Sequence, residues 1–308
     1  TLYNITTKRK GSFMSATRYA NPGAIVETEW LANSLGDSHL RVFDCTTFLH
    51  DEIGTGRPYR VESGRAEYER AHIPGSAFLD LQEELSDSSS KFRFTLPNVE
   101  TLAARFAEKG IGTGSHVVLY SRKRMQWATR LWWMLRYVGF DNAAILNGGF
   151  DKWIAEGRPT ETIETCYPPA TLVAKPRHEI FIGKDEVKAA IGDPRACMIN
   201  ALAPDLHSGD NPRYGRPGRV PGSVNVPALS LIEEHSLTLK SADVVGAAFT
   251  QAGAEPSKRV LVYCGGGIAA TLDAFLLHQL EYPNVAVYDN SMHEWANDET
   301  LPIERDDA

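Results

Sequence analysis

Cys264 stands between an apolar run and three consecutive glycines, and it is the residue best suited to nucleophilic chemistry in this chain. The run at 260–263 predicts a buried strand, and the glycines at 265–267 let successive backbone N–H groups turn towards the sulfur. The helix predicted after them would add the positive end of its dipole. Because a cysteine reacts as the thiolate, these features predict a reactive thiol rather than a small core residue.

The composition is that of an ordinary globular protein. The 308 residues predict about two domains, and 43% of them are hydrophobic and 23% charged. The net charge of -7 implies no general affinity for nucleic acid. No apolar run approaches the roughly 20 residues of a membrane span.

The four cysteines are too widely spaced for a CxxC redox pair or a zinc site. Cys45 and Cys197 fall in apolar, strand-like runs and are predicted to lie in the core. A reducing, cytoplasmic location is the simplest interpretation. No apolar signal-peptide core follows the basic residues at 8–10, although the start at Thr1 leaves a removed leader open.

The chain contains one internal repeat. The segment His72-Ile73-Pro74-Gly75-Ser76 returns as Arg219-Val220-Pro221-Gly222-Ser223. Each copy lies between two apolar, strand-like runs, and each half closes with a third run and a turn into a tryptophan. The runs are at 41–44, 116–120 and 144–146 in the first half and at 197–200, 260–263 and 285–288 in the second. Two copies of one pattern predict two similar domains.

Predicted amphipathic helices follow the second run of each half, so strands alternate with helices. This alternation predicts an α/β fold of two tandem domains, each a mainly parallel sheet flanked by helices. The carboxyl ends of such strands form the functional edge, where Cys264 and its counterpart Ser121 both fall. The predicted divisions are an irregular tail at 1–22, a first domain at 23–158, a linker at 159–176 and a second domain at 177–308.

These features together resemble the tandem-domain rhodanese-like sulfurtransferases, the group of thiosulfate and 3-mercaptopyruvate sulfurtransferases. The resemblance covers about residues 24–304 and rests on both Pro-Gly motifs, the Cys264 loop and the two strand-turn-Trp segments. It implies an inactive first domain, a catalytic second domain and an active site that faces the interface between them. The family's nucleophile corresponds to Cys264. Its persulfide-binding loop corresponds to Gly265, Gly266, Gly267, Ile268, Ala269 and Ala270.

The resemblance implies sulfur transfer through a persulfide on Cys264. The thiolate attacks the sulfur of a donor, the loop amides stabilise the charge, and an acceptor such as cyanide or a thiol takes the outer sulfur. The expected partners are therefore a small sulfur donor and a thiophilic acceptor, with no nucleic acid and no membrane. No metal and no organic cofactor is expected. The identity of donor and acceptor and the oligomeric state are left undetermined.

The loop departs from the family pattern. Thiosulfate-type members tend to carry cations after the cysteine, and mercaptopyruvate-type members tend to carry Gly-Ser-Gly, whereas this chain has three glycines. Ala269 stands where a hydroxyl residue is usual, and Leu202 stands where the family has a substrate-binding arginine. The loop therefore offers neither a charge for a dianion nor a hydroxyl for a proton relay.

Other cations are candidates for binding an anionic donor. Arg213, Arg216 and Arg219 lie in a Gly/Pro-rich segment, either as a cationic rim near Cys264 or as a solvated loop paired with surface acids. The cluster at 122–124 follows Ser121 and either faces Cys264 across the interface or faces water.

Three alternatives remain beside an ordinary thiosulfate or mercaptopyruvate donor. A cysteine phosphatase or arsenate reductase is disfavoured, because the sixth residue after Cys264 is Ala270 where that chemistry needs an arginine. A non-enzymatic persulfide carrier or regulatory binding domain would load sulfur once and release it slowly. A sulfurtransferase with a bulkier or less charged donor would also suit the small, uncharged loop.

Overall fold

The computed structural model describes residues 18–52 and 57–306. Within them the chain forms two five-stranded sheets, one in each half, and a two-stranded hairpin. Every pairing in the two large sheets is parallel, whereas the hairpin is antiparallel. The prediction of two tandem α/β domains with parallel sheets flanked by helices is confirmed.

Five strands form the first sheet, and two further strands form the hairpin. The sheet strands are Ile25–Val26 (β1), Leu40–Asp44 (β2), Ala77–Phe78 (β5), His116–Tyr120 (β6) and Ala143–Leu146 (β7), and the hairpin strands are Thr47–Asp51 (β3) and Tyr59–Ser63 (β4). Their order in the sheet is β1-β7-β6-β2-β5. The hairpin was not predicted from the sequence.

The second sheet repeats this plan with the order β10-β9-β11-β12-β8. Its strands are Phe181–Ile182 (β8), Ala196–Asn200 (β9), Val224–Asn225 (β10), Arg259–Tyr263 (β11) and Val285–Tyr288 (β12). The longer strands coincide with the predicted runs to within one residue at either end. They read as apolar runs because helices cover both faces of a parallel sheet.

Ten α-helices connect the strands of the described residues. They are Thr28–Ser34 (α1), Arg65–Arg70 (α2), Val99–Glu108 (α3), Gln126–Tyr137 (α4), Gly149–Ala155 (α5), Lys184–Ala190 (α6), Pro204–Ser208 (α7), Ala242–Gln251 (α8), Ala269–Gln279 (α9) and Ser291–Trp295 (α10). Short 3-10 helices lie at Pro22–Ala24, His178–Ile180 and Ala228–Leu231. The described helices are too short or too polar for any of them to cross a membrane.

The two domains meet through α4 and α9, the helices that follow Ser121 and Cys264. The hydroxyls of Thr129 and Thr271 lie 3.0 Å apart across this interface, and Trp132 packs edge-on against Phe275. Both helices are buried on nearly every side. The two predicted helices are present, but neither leaves a polar face in solvent, because each helix packs on its own sheet and also on its counterpart in the other domain.

The repeated Pro-Gly-Ser motif anchors the strand that leads into each functional loop. Ser223 Oγ lies 2.6 Å from the hydroxyl of Tyr263, the residue before Cys264. In the first domain Ser76 Oγ lies 2.9 Å from the hydroxyl of Tyr120, the residue before Ser121. All four side chains are buried, so each motif satisfies a buried phenol and fixes the end of its strand.

The predicted linker and the end of the predicted tail both pack on the domains. Tyr167 of the linker donates its hydroxyl hydrogen to the Gly75 carbonyl at 2.6 Å. Ala20 N–H donates to the Gln279 carbonyl at 2.8 Å, which places this part of the tail against α9. Residues 1–17 of the predicted tail lie outside the described residues.

Candidate active site

Cys264 directly follows β11 and is only 2% exposed. Its N–H donates to Ser291 Oγ at 3.0 Å, and its carbonyl accepts from Met292 N–H at 3.0 Å. The start of α10 therefore holds the cysteine backbone from one side. The position agrees with the expected functional edge of a parallel sheet.

The glycines after Cys264 are required by close packing. The phenol of Tyr214 occupies the space that a side chain at Gly265 would need. Gly267 has a φ of +71°, and a Cβ there would overlap the carbonyl oxygen of Asp289. A Cβ at Gly266 would lie 3.1 Å from the hydroxyl of Tyr59. The loop is thus closed in by side chains and backbone that tolerate glycine alone at 265 and 267.

The backbone N–H groups of the loop are not used in regular backbone hydrogen bonds. Among the described residues, no backbone carbonyl accepts a hydrogen bond from the amides of residues 265–268. Ile268 precedes α9, which begins with Ala269 and Ala270. Of the six residues predicted to form the binding loop, the first four precede α9 and the last two begin it. The loop therefore ends at a helix N-terminus, where the helix dipole favours negative charge.

Arg130 of the first domain reaches across the interface to the loop. Its side chain is fully buried in α4. The guanidinium donates to the Gly267 carbonyl at 3.2 Å, to the Phe94 carbonyl at 2.7 Å and to Asp289 Oδ1 at 2.6 Å. One side chain thus ties the loop to a segment of the first domain and to the end of β12.

The contacts between the domains are reciprocal. Leu96 N–H of the first domain donates to Asp289 Oδ2 after β12 at 2.8 Å. Leu239 N–H of the second domain donates to Asn147 Oδ1 after β7 at 2.9 Å. Each domain therefore supplies a segment that covers the loop edge of the other, as expected for two copies of one fold facing each other.

A cavity of about 740 Å³ opens beside the loop. Tyr214 and His293 form part of its wall. Tyr59 connects them, because its ring lies edge-on to both, with centroid distances of 6.4 Å. Neither Cys264 nor residues 265–270 line the cavity, and Tyr214 and His293 stand between it and the loop. Charged residues in its wall are Asp51, Glu52, Arg57, Lys91 and Arg213.

His293 belongs to this site by position and by backbone contact. Its N–H donates to the Gly265 carbonyl at 2.8 Å. Burial, with a smaller contribution from Arg93, lowers the pKa of the imidazole below its usual value. The ring is therefore neutral at pH 7.

The three arginines of the Gly/Pro-rich segment lie in different surroundings. Arg213 lines the cavity, pairs with Asp51 and lies over the rings of Tyr59 and Tyr214 at 5.9 Å. Leu202, where the family has its arginine, packs against the apolar core. Arg213 is thus the member of the three that borders the cavity.

Arg216 and Arg219 instead hold the C-terminal segment. Arg216 donates to four backbone carbonyls between residues 295 and 301. Arg219 pairs with Glu304 and Asp306. Their guanidinium groups are occupied by these contacts, and neither lines the cavity.

The basic cluster after Ser121 is also divided. Arg122 is turned into the first domain, where its guanidinium lies 3.8 Å from the Phe150 ring centroid and 3.6 Å from Asp44 Oδ2. Lys123 and Arg124 line a separate small cavity at the Ser121 loop. The basic cluster does not line the 740 Å³ cavity.

Five residues of the site were given no role from the sequence: Tyr59, Phe94, Arg130, Tyr214 and His293. Three of them belong to the first domain, between 134 and 205 positions before Cys264. The only sequence signal for Arg130 is a charge within an otherwise apolar helix. A charge at such a position is buried only when it has a partner, and Asp289 supplies that partner.

The fold and the site define the class of this protein: the chain belongs to the family of rhodanese-like domains. The model of the Rhodanese-like domain matches residues 27–156 and 185–298. The two matched segments are the two halves that contain Ser121 and Cys264.

Several curated relatives are similar over nearly the whole chain. Thiosulfate/3-mercaptopyruvate sulfurtransferase 2 of Arabidopsis thaliana is 33% identical over 304 residues, which cover 91% of this chain and 86% of the relative. The 3-mercaptopyruvate sulfurtransferase of Escherichia coli K12 is 32% identical over 291 residues, which cover 91% of this chain and 97% of the relative.

Solved structures agree on the fold. SseA from Escherichia coli, described as a 3-mercaptopyruvate sulfotransferase with the rhodanese fold, has a TM-score of 0.74 at 29% identity and covers 87% of this chain and 98% of its own. A complex of an EanB variant with ergothioneine has a TM-score of 0.79 at 21% identity, covering 94% of this chain and 72% of its own. The second similarity extends to the fold alone.

Proposed function

We propose that this protein is a sulfurtransferase that moves a sulfane sulfur from a donor such as thiosulfate or 3-mercaptopyruvate to a thiophilic acceptor, cyanide or a thiol. The sulfur travels as a persulfide on Cys264. The observation that carries the proposal is the position of Cys264, at the end of β11 and at the start of a glycine loop closed in by Tyr214 and Asp289. The relatives named as sulfurtransferases, at 32–33% identity, support the same reaction class.

The proposed transfer has two steps. The Cys264 thiolate attacks the transferable sulfur of the donor, the bond from that sulfur to the leaving group breaks, and the leaving group takes the electron pair. The amides of 265–270 and the N-terminus of α9 stabilise the negative outer sulfur. The acceptor then attacks the outer sulfur and restores the thiolate.

We assign the two domains different roles. The second domain, at 177–308, carries the nucleophile and the loop. The first domain, at 23–158, has Ser121 in the corresponding place and contributes Arg130 and Tyr59 to the wall of the site. We also propose a reducing, cytoplasmic location, because all four cysteines are free and Cys264 must remain a thiol.

The test is intact-protein mass spectrometry after brief incubation with thiosulfate and, separately, with 3-mercaptopyruvate. We expect the mass to rise by one sulfur atom and to return to its starting value when cyanide is added, over many cycles. Loading followed by negligible release would instead identify a persulfide carrier. No gain with either donor would contradict the proposed function.

We propose further that Arg213 binds the anionic part of the donor. It borders the cavity whose wall includes Tyr214 and His293, the two residues that contact Gly265, and its side chain is 25% exposed. Its partner Asp51 is 64% exposed and can turn to solvent when a ligand anion arrives. A guanidinium donates a charge-assisted hydrogen bond to a carboxylate or a sulfonate oxygen in this position.

Replacing Arg213 by Gln should raise the KM for an anionic donor by about tenfold, the effect of losing one charge-assisted hydrogen bond. Steady-state kinetics would measure this change, and kcat should change less than KM. Arg216→Gln is the matched control, because its contacts hold backbone carbonyls and its loss should lower Tm rather than donor affinity. An unchanged KM in Arg213→Gln would assign donor binding to other groups.

A further inference from the structure

Cys264 and the loop that follows it are closed off from solvent. The cysteine is 2% exposed, and residues 265–268 are all buried. The 740 Å³ cavity ends at Tyr214 and His293, so a molecule that occupies it is still separated from the sulfur of Cys264. A side chain between the cavity and the loop must therefore move before a donor and the thiol can meet.

Tyr214 is the side chain that fills the space beside Gly265. The three atoms nearest to the position of a Cβ on Gly265 all belong to the phenol of Tyr214. The same residue is only half-buried and forms part of the cavity wall. Its ring therefore has the loop on one side and the cavity on the other.

The neighbouring aromatic side chains are held by regular secondary structure. Tyr59 begins the strand β4 and is 7% exposed, and its ring stacks on Phe94 with 6.3 Å between the centroids. His293 lies in the helix α10, and its N–H donates to the Gly265 carbonyl at 2.8 Å. Tyr214 is thus the residue of this wall that is best placed to move.

Tyr214 lies on a turn, outside the helices and strands. Gly215 N–H donates to the Pro212 carbonyl at 3.1 Å, and this hydrogen bond closes the turn. Asn297 Nδ2 donates to the Tyr214 carbonyl at 2.8 Å. The backbone of the turn is therefore held in place, whereas the side chain of Tyr214 can change its rotamer and swing towards the cavity.

We propose that Tyr214 is a gate that determines which molecules reach Cys264. In the closed conformation, which is the one described above, the phenol covers Gly265 and separates the cavity from the thiol. In the open conformation the phenol turns into the cavity, whose volume of about 740 Å³ has room for the ring. The space beside Gly265 then becomes the passage to Cys264. This proposal rests on the proposed function only in that a donor must reach Cys264.

The glycine at 265 has a particular purpose in this arrangement. Its φ is not positive, so the backbone at this position suits an alanine as well as a glycine. The space of the absent side chain is instead occupied by the phenol of Tyr214. Glycine at 265 thus allows the gate to close, whereas Gly267 is required by its φ of +71° and by the Asp289 carbonyl.

The test is the rate at which iodoacetamide alkylates Cys264 in the wild type, in Gly265→Ala and in Tyr214→Ala. The added methyl group should push the phenol off the loop, and the truncation removes the phenol. A minor open conformation makes up at most about 10% of the molecules, so both changes should raise the rate at least about tenfold. Cys166, which is exposed and free, is the reference thiol in the same molecules, and peptide mapping by mass spectrometry separates the two.

Phe92→Ala is the matched control, because Phe92 lines the same cavity and is not among the atoms nearest to Gly265. It should leave the alkylation rate of Cys264 unchanged. The pH dependence of alkylation distinguishes access from thiol reactivity. Opening the gate should raise the rate at every pH and leave the midpoint of the profile where it is in the wild type.

Failure of either folded variant to accelerate alkylation would overturn the gate, and so would a rise that comes only from a shifted midpoint. If Gly265→Ala does not fold, Tyr214→Ala decides alone, because it leaves the loop sequence intact. Persulfide formation from thiosulfate and from 3-mercaptopyruvate is measured separately. Faster alkylation in the variants, without a persulfide in the wild type from either donor, would overturn the proposed function and leave the gate in place.

Discussion

Cys264→Ser should abolish sulfur transfer while the protein stays folded. A serine hydroxyl at this position is a far weaker nucleophile than a thiolate and cannot carry a persulfide. The cysteine is 2% exposed, so the exchange of a thiol for a buried hydroxyl should cost about 1 kcal/mol of unfolding free energy. Transfer from both donors and the gain of one sulfur atom should both disappear, as measured by product release and by mass spectrometry.

Cys166→Ser is the control for this prediction, because Cys166 is the exposed free thiol of the described chain and could take up sulfur without any role in turnover. It should retain full transfer. Cys264→Ala, which adds no polar group, separates a folding defect from a chemical one. Turnover in either Cys264 variant would contradict the persulfide mechanism.

Arg130→Met should lower both stability and activity, although Arg130 lies in the domain that does not contain Cys264. Removing the guanidinium leaves the carboxylate of Asp289, which is 14% exposed, without its buried partner, and such losses cost about 3 kcal/mol. The Gly267 and Phe94 carbonyls also lose a donor. The loop should then shift, and misplacement on the scale of 1 Å lowers kcat by about 100-fold. Thermal unfolding and single-turnover persulfide formation would measure the two effects.

Arg136→Met provides the comparison within the same helix. Arg136 pairs with Asp141, which is 51% exposed, and surface pairs contribute less than about 1 kcal/mol. If Arg130→Met is too unstable to purify, Arg130→Lys keeps the charge but cannot make the three contacts, and it should lower kcat more than it raises KM. Full activity in a folded Arg130→Lys would show that the clamp stabilises the interface without positioning the loop.

The local pattern of apolar residues was sufficient to predict the longer strands of each domain. The runs at 116–120 and 285–288 are β6 and β12 without change, because a strand buried on both faces must be apolar throughout. The duplicated Pro-Gly-Ser motif predicted two similar domains, and each copy proves to fix a tyrosine at the end of a strand. The hairpin that holds Tyr59 escaped prediction, since its charged and polar residues follow no clear alternation.

The amino-acid sequence by itself thus determined the two parallel sheets and the family, and it predicted Cys264 as the nucleophile with a glycine loop after it. These features depend on neighbours in the chain: an apolar run, a cysteine, three glycines and a helix. The docking of α4 on α9 decided the rest of the site, because it brings Tyr59, Phe94 and Arg130 to a loop more than 130 positions away. It also decided that Arg213 borders a cavity whose wall includes Asp51 and Lys91 of the first domain. Such contacts depend on how two finished domains pack together, and no local periodicity of the sequence encodes that packing.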